Sequence, residues 1–138
     1  VGSGAERTLW SGAAALTHEA AQTLTVLDDV QVGEQEFVQI RWTTGSGAHT
    51  GCRDHLVRPY KDTPLEAAPV QLTLVDGHTV RVQSPQTSFF VWLETAAAGR
   101  FEDNAFTLLP GQVRTLRWLG AHALDASTLR VRHLAQSY

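Results

Sequence analysis

Apolar and polar residues alternate with a period of two along much of this chain, the spacing of half-buried strands. Thr23-Leu24-Thr25-Val26-Leu27 places Leu24 and Val26 on one face and ends at Asp28-Asp29. Phe37 to Thr44 sets Val38, Ile40 and Trp42 against Gln39 and Arg41, which predicts a strand with those three apolar side chains buried. Gly45-Ser46-Gly47 is a flexible turn, and His49 to Val57 returns as the second arm of a hairpin. Upstream, residues 7–17 are weakly strand-like and interrupted by Gly12. Ala13 to Ala21 has helix propensity but no long apolar residues at helical spacing, so strand–loop–strand is the preferred reading.

A second series begins at Val70. Val70, Leu72 and Leu74 alternate with Gln71 and Thr73, and Asp76-Gly77 supplies a tight turn. Thr79 to Gln83 returns with Val80 and Val82 inward and Arg81 outward. Val113 to Leu119 puts Leu116 and Trp118 on one face, and Leu129 and Val131 alternate with Arg130 and Arg132. Short strands at intervals of about ten residues, separated by turn residues, predict a β-sandwich. The fold class is all-β, a β-sandwich preceded by a smaller β unit. The first unit, residues 1–58, holds about four strands, too few to close a sandwich of its own, so it either packs on the second unit or is the tail of a domain whose opening strands lie upstream. Residues 59–69 carry three prolines without periodicity and read as a semi-rigid linker. Residues 70–138 form the C-terminal sandwich.

Phe89-Phe90-Val91-Trp92-Leu93-Glu94 breaks the alternation, because both of its faces are apolar. Such a strand is covered on both sides, and by analogy with the buried tryptophan of Ig-type sandwiches, Phe90 and Trp92 are expected in the core. Gly99-Arg100-Phe101-Glu102-Asp103-Asn104 follows, a shaped loop around one ring, with Phe101 expected as a buried pin. Asp103 and Asn104 are expected to bond backbone groups within the loop, and Arg100 to pair with Asp103 or with the adjoining unit. Pro110-Gly111 is turn chemistry.

This stretch resembles the C-terminal Ig-like domain of glycoside hydrolase family 2 β-mannosidases. There a strand reading F-V-W-L leads into G-R-F-S-D-N-x-F and then L-x-P-G-E. Phe90-Val91-Trp92-Leu93, Gly99-Arg100-Phe101, Asp103-Asn104, Phe106 and Leu109-Pro110-Gly111 match in order, with Glu102 in place of Ser and Gln112 in place of Glu. Pro59-Tyr60-Lys61-Asp62 stands where that family carries a Pro-Pro-Lys-Asp-type connector. The resemblance implies an immunoglobulin-like β-sandwich preceded by an incomplete second Ig-like unit, the end of the fourth domain and all of the fifth in a longer enzyme. It also implies a parent that hydrolyses terminal β-D-mannosides with retention, on two glutamates of a (β/α)₈ barrel that no residue here matches.

Composition narrows the remaining classes. Net charge is −3 and the eleven Lys and Arg residues form no basic stripe, which argues against a nucleic-acid partner. Only Lys61 among them is lysine, which with the many alanines reads as coding bias toward a GC-rich genome. No apolar run approaches the ~20 residues of a membrane span. Val1-Gly2-Ser3-Gly4 lacks the charged-then-apolar pattern of a signal peptide, so a soluble protein with cytoplasmic residence is favoured over export. Cys52 is the sole cysteine and forms no internal disulfide.

Candidate chemistry is sparse. Retaining glycoside hydrolysis needs two carboxyl groups about 5–5.5 Å apart. Glu94 and Glu102 are the tempting pair, but a small sandwich offers no deep cleft, and solvated surface carboxylates are the simpler reading. His49, Cys52, Asp54 and His55 resemble a ligand set, yet strand alternation puts His49 and His55 on one face and Cys52 and Asp54 on the other. His18, His78, His122 and His133 stand singly, so a Ser-His-Asp arrangement has no anchor. No catalytic, cofactor-binding or metal-ligating residue is assigned. Trp42, Trp92 and Trp118 are expected to pack, although exposed rings would instead suit a carbohydrate-binding module.

The expected function is that of a non-catalytic Ig-like region of a β-mannosidase-like glycoside hydrolase, without cofactor. Its implied partners are the rest of the parent glycosidase, namely the barrel and the upstream Ig-like strands; a homodimer is left open. The alternative is a free-standing carbohydrate-binding or protein-interaction β-sandwich.

Overall fold

The computed structural model describes residues 4–137. Val1-Gly2-Ser3, read above for a leader, and Tyr138, the last residue of the final domain, lie outside the described residues. The chain divides into two compact units, Ala5–Thr63 and the part from Pro64 onward. The division falls inside the proline-rich segment, which carries a 3-10 turn at Tyr60–Asp62.

In the first unit, β1 (Phe37–Thr43) and β2 (Thr50–Leu56) form an antiparallel hairpin with Phe37 opposite Leu56 and Thr43 opposite Thr50. The Thr23–Leu27 strand and the strands expected within residues 7–17 do not form; both stretches are irregular. Alternation confers a face but not a partner, and a segment without a neighbouring ladder has no reason to stay extended. The burial expected of Ile40 and Trp42 fails, while Val38 is half-buried. No hairpin residue is buried, and Ile40 and Trp42 are 54% and 51% exposed. A two-stranded sheet has no second layer in this unit to cover that face. Trp42 lies instead across its cross-strand partner Gly51, where any Cβ would stand 2.3 Å from the indole.

The second unit is a sandwich of two three-stranded antiparallel sheets. One contains β3 (Gln71–Asp76), β4 (Thr79–Gln83) and β7 (Val113–Arg117) in the order β3-β4-β7. The other contains β5 (Ser88–Glu94), β6 (Phe106–Leu108) and β8 (Arg130–Arg132) in the order β6-β5-β8. The turn between β3 and β4 follows from Asp76-Gly77: the His78 N–H donates to the Asp76 carboxylate at 2.7 Å, which holds that carboxyl below its ordinary pKa. Pro110 and Gly111 make the turn before β7, with Gly111 at φ +73° and the Gln112 N–H donating to the Leu109 carbonyl at 3.0 Å.

The core lies between the sheets. Val80, Val82 and Leu116 face Val91, Leu93, Phe106 and Leu108, and Phe101, Trp118, Leu124 and Leu129 join the same cluster. Phe89 is buried as well, and Phe90 and Trp92 are 44% and 46% exposed, so the expected orientation of β5 is reversed.

A β-bulge causes the reversal. Ser88 pairs with Leu108 and Val91 with Phe106, so β5 spends three steps where β6 spends two. Strict alternation from the buried Ser88–Leu108 pair would have turned Phe90 and Trp92 inward. One extra residue flips every later side chain to the opposite face. Phe90 carries the backbone cost at φ +51°, a conformation a bulky L-residue rarely adopts. The buried tryptophan of this unit is Trp118.

Candidate functional site

The GRFEDN loop is built around Phe101, which is 5% exposed. Its ring meets Trp118 at a centroid distance of 5.1 Å and an interplanar angle of 57°, and the two residues also form a β-bridge. The Trp118 indole N–H donates to the His122 carbonyl at 2.9 Å, satisfying its one polar atom. Glycines make the slot for this ring: a Cβ on Gly99 would come within 2.6 Å of both the indole and the Gly120 backbone, and one on Gly120 within 2.4 Å of the indole.

The polar residues of the loop tie it to the strands. The Leu93 N–H donates to Asn104 Oδ1 at 2.8 Å, and Asn104 Nδ2 donates to the Leu93 carbonyl at 3.0 Å. Asp103 accepts the Asn104 N–H at 2.8 Å on one oxygen and pairs with Arg114 through the other. Arg114 also lies 4.3 Å over the Phe106 ring. Glu102 accepts the Arg117 N–H at 2.9 Å. Asp103 thus takes Arg114 as its ion-pair partner rather than Arg100, which is exposed.

Beside this loop the surface dips into an open depression of about 480 Å³ whose lining includes Trp92, Glu94, Arg100, Glu102 and Asn104. Trp92 supplies a half-exposed ring. Glu94 pairs with Arg132 at 3.6 Å, and Arg132 stands directly opposite Trp92 on β8. Glu94 and Glu102 therefore share one rim, each engaged by a neighbouring donor. Of the residues singled out in the sequence, Gly99, Phe101, Asp103, Asn104 and Phe106 build the loop, Pro110 and Gly111 build a turn elsewhere, and Phe90 and Trp92 face outward. Sequence reasoning missed Arg114 as the partner of both Asp103 and Phe106, since a lone arginine in an alternating strand carries no signal of it.

The described residues contain no group of three His, Cys, Asp or Glu side chains able to hold a metal, and His49, Cys52, Asp54 and His55 do not converge. Asp54 is instead bonded across the hairpin by Gln39 Nε2 at 2.8 Å. No helix among the described residues is long and apolar enough to cross a membrane. His133, outside the depression, is buried, and neither ring nitrogen reaches a partner at hydrogen-bonding geometry among the described residues. Burial pushes its pKa below the ordinary 6.5, and the Ala68 backbone opposes that shift more weakly.

Two packed antiparallel sheets, a buried tryptophan between them and a pinned loop at one end define an immunoglobulin-like β-sandwich. Residues 62–137 match the Ig_mannosidase family, an Ig-fold domain, and the chain belongs to that family. No curated protein matches the chain.

Proposed function

We propose that this chain is the non-catalytic C-terminal Ig-like region of a β-mannosidase-like glycoside hydrolase, whose parent releases terminal β-D-mannosyl residues with retention. The observation that carries this reading is the Ig_mannosidase match over residues 62–137. The incomplete β-unit before it, residues 1–58, is read as the tail of the preceding Ig-like domain, joined through the linker at residues 59–69. The barrel and the missing Ig-like strands are the proposed partners. The region's contribution is packing and access to the barrel, not bond cleavage. Its two rim carboxylates support this division: Glu94 is ion-paired and Glu102 accepts a backbone N–H, in an open depression that excludes no water.

The test is the reading frame upstream of this chain and the activity of its product. A (β/α)₈ barrel with two facing glutamates, and aryl β-mannoside hydrolysis by that product, is the expected result. A frame that opens at this chain, without a barrel, would replace the reading with a free-standing module.

A further inference from the structure

The depression beside Trp92 has a composition that none of the loop-building contacts requires. Trp92 is half exposed on the outer face of β5. A large indole left in water forfeits the burial that ordinarily places tryptophan inside. The core tryptophan of this unit is Trp118, so Trp92 is not needed for that role.

Charge around the ring is balanced locally. Asp103 is neutralised by Arg114 and Glu94 by Arg132, which leaves Glu102 and Arg100, of opposite sign, on the same lining. A charged ligand of either sign would meet a like charge at close range. A neutral ligand would not, provided it offers hydroxyls to the carboxylates and the guanidinium and an apolar face to the indole. Pyranose rings have that division: C–H bonds clustered on one ring face form an apolar patch with partial positive charge, suited to the negative face of an aromatic ring, while the hydroxyls are left to bond polar groups around it. The volume of about 480 Å³ is in the range of small-ligand sites, and its open form suits one or two rings of a longer chain.

We infer that this depression is a neutral-oligosaccharide site in which Trp92 is the stacking platform and Arg100, Glu94 and Glu102 bond the hydroxyls. The inference goes beyond the reading of the parent enzyme and stands whether or not that parent cleaves mannosides. The reversed orientation of β5 is what makes it available, since a core Trp92 would leave the depression without a ring.

The test uses the whole chain in native gels containing galactomannan or hydroxyethylcellulose, followed by calorimetric titration with the matching soluble oligosaccharide at millimolar concentrations. Retardation in one of the gels is expected, with affinity lowered about tenfold or more by Trp92→Ala. Trp10→Ala, an exposed tryptophan in the other unit, should bind unchanged. On the unaltered chain, the Trp92 indole N–H resonance, identified by its loss in Trp92→Phe, should shift saturably in proton–nitrogen correlation spectra. Absence of binding to both polysaccharides would overturn the inference, as would full affinity in Trp92→Ala or an unmoved Trp92 resonance. Its failure leaves the upstream-barrel test untouched, and the converse holds.

Discussion

Asn104 acts as a strand partner for Leu93: one side-chain amide satisfies both the N–H, at 2.8 Å, and the carbonyl, at 3.0 Å, of a single β5 residue. The amide thereby replaces a backbone peptide where β6 does not reach. Asn104→Ala would leave both Leu93 groups without partners in a part-buried setting. We expect a loss of about 1–3 kcal/mol, the range for orphaned polar groups. Asn104→Asp keeps the acceptor but sets a carboxylate against the Leu93 carbonyl, and should lose a similar amount. Urea denaturation midpoints at constant slope measure both; a shift under half a kcal/mol for Asn104→Ala would show that water replaces the amide.

Phe101 pins the same loop from inside. Removing its ring opens a cavity against Trp118, and Phe101→Ala should cost about 3–5 kcal/mol. The near-ultraviolet circular dichroism of the tilted pair should collapse with it. A loss below ~1 kcal/mol would mean the loop repacks around the gap.

Two glycines with positive φ separate steric from conformational cost. Gly99 has φ +152° and Gly111 has φ +73°. A Cβ at Gly111 meets nothing within 4 Å, whereas one at Gly99 meets the Gly120 backbone and the Trp118 indole at 2.6 Å. Gly111→Ala should therefore cost about 1–2 kcal/mol, the left-handed penalty alone. Gly99→Ala should cost more, because the indole must leave its slot. Thermal unfolding of the two variants side by side tests the order, and equal losses would contradict the packing described around Trp118.

His133 predicts an acid-sensitive sandwich. Its pKa is lowered in the folded state by burial, so the unfolded chain binds a proton more readily. The sign follows: above the ordinary value of 6.5 the ring is neutral in both states and adds no pH dependence, and stability falls as pH drops from there through the lower folded value. His133→Phe should flatten that part of the stability–pH curve. A wild-type curve level between about pH 7 and pH 5 would refute the assignment.

The sequence by itself determined the class and the punctuation. Period-two alternation in Leu72, Leu74, Val80 and Val82, with Asp76-Gly77 and Pro110-Gly111 between runs, admits only antiparallel β-structure, because those turns impose their own dihedrals. Phe101 was legible as a pin for the same local reason: one ring stands among loop-forming polar residues. Tertiary structure decided which of two apolar faces β5 buries and which alternating segments become strands. Phe89, Val91 and Leu93 are as apolar as Phe90 and Trp92, so composition could not choose between the sets. The choice rests on one extra residue between Ser88 and Val91, relative to Leu108 and Phe106 on β6. A bulge is a property of pairing between two strands, invisible in either alone. Leu24 and Val26 show the same limit, since their alternation found no ladder and both side chains remain exposed.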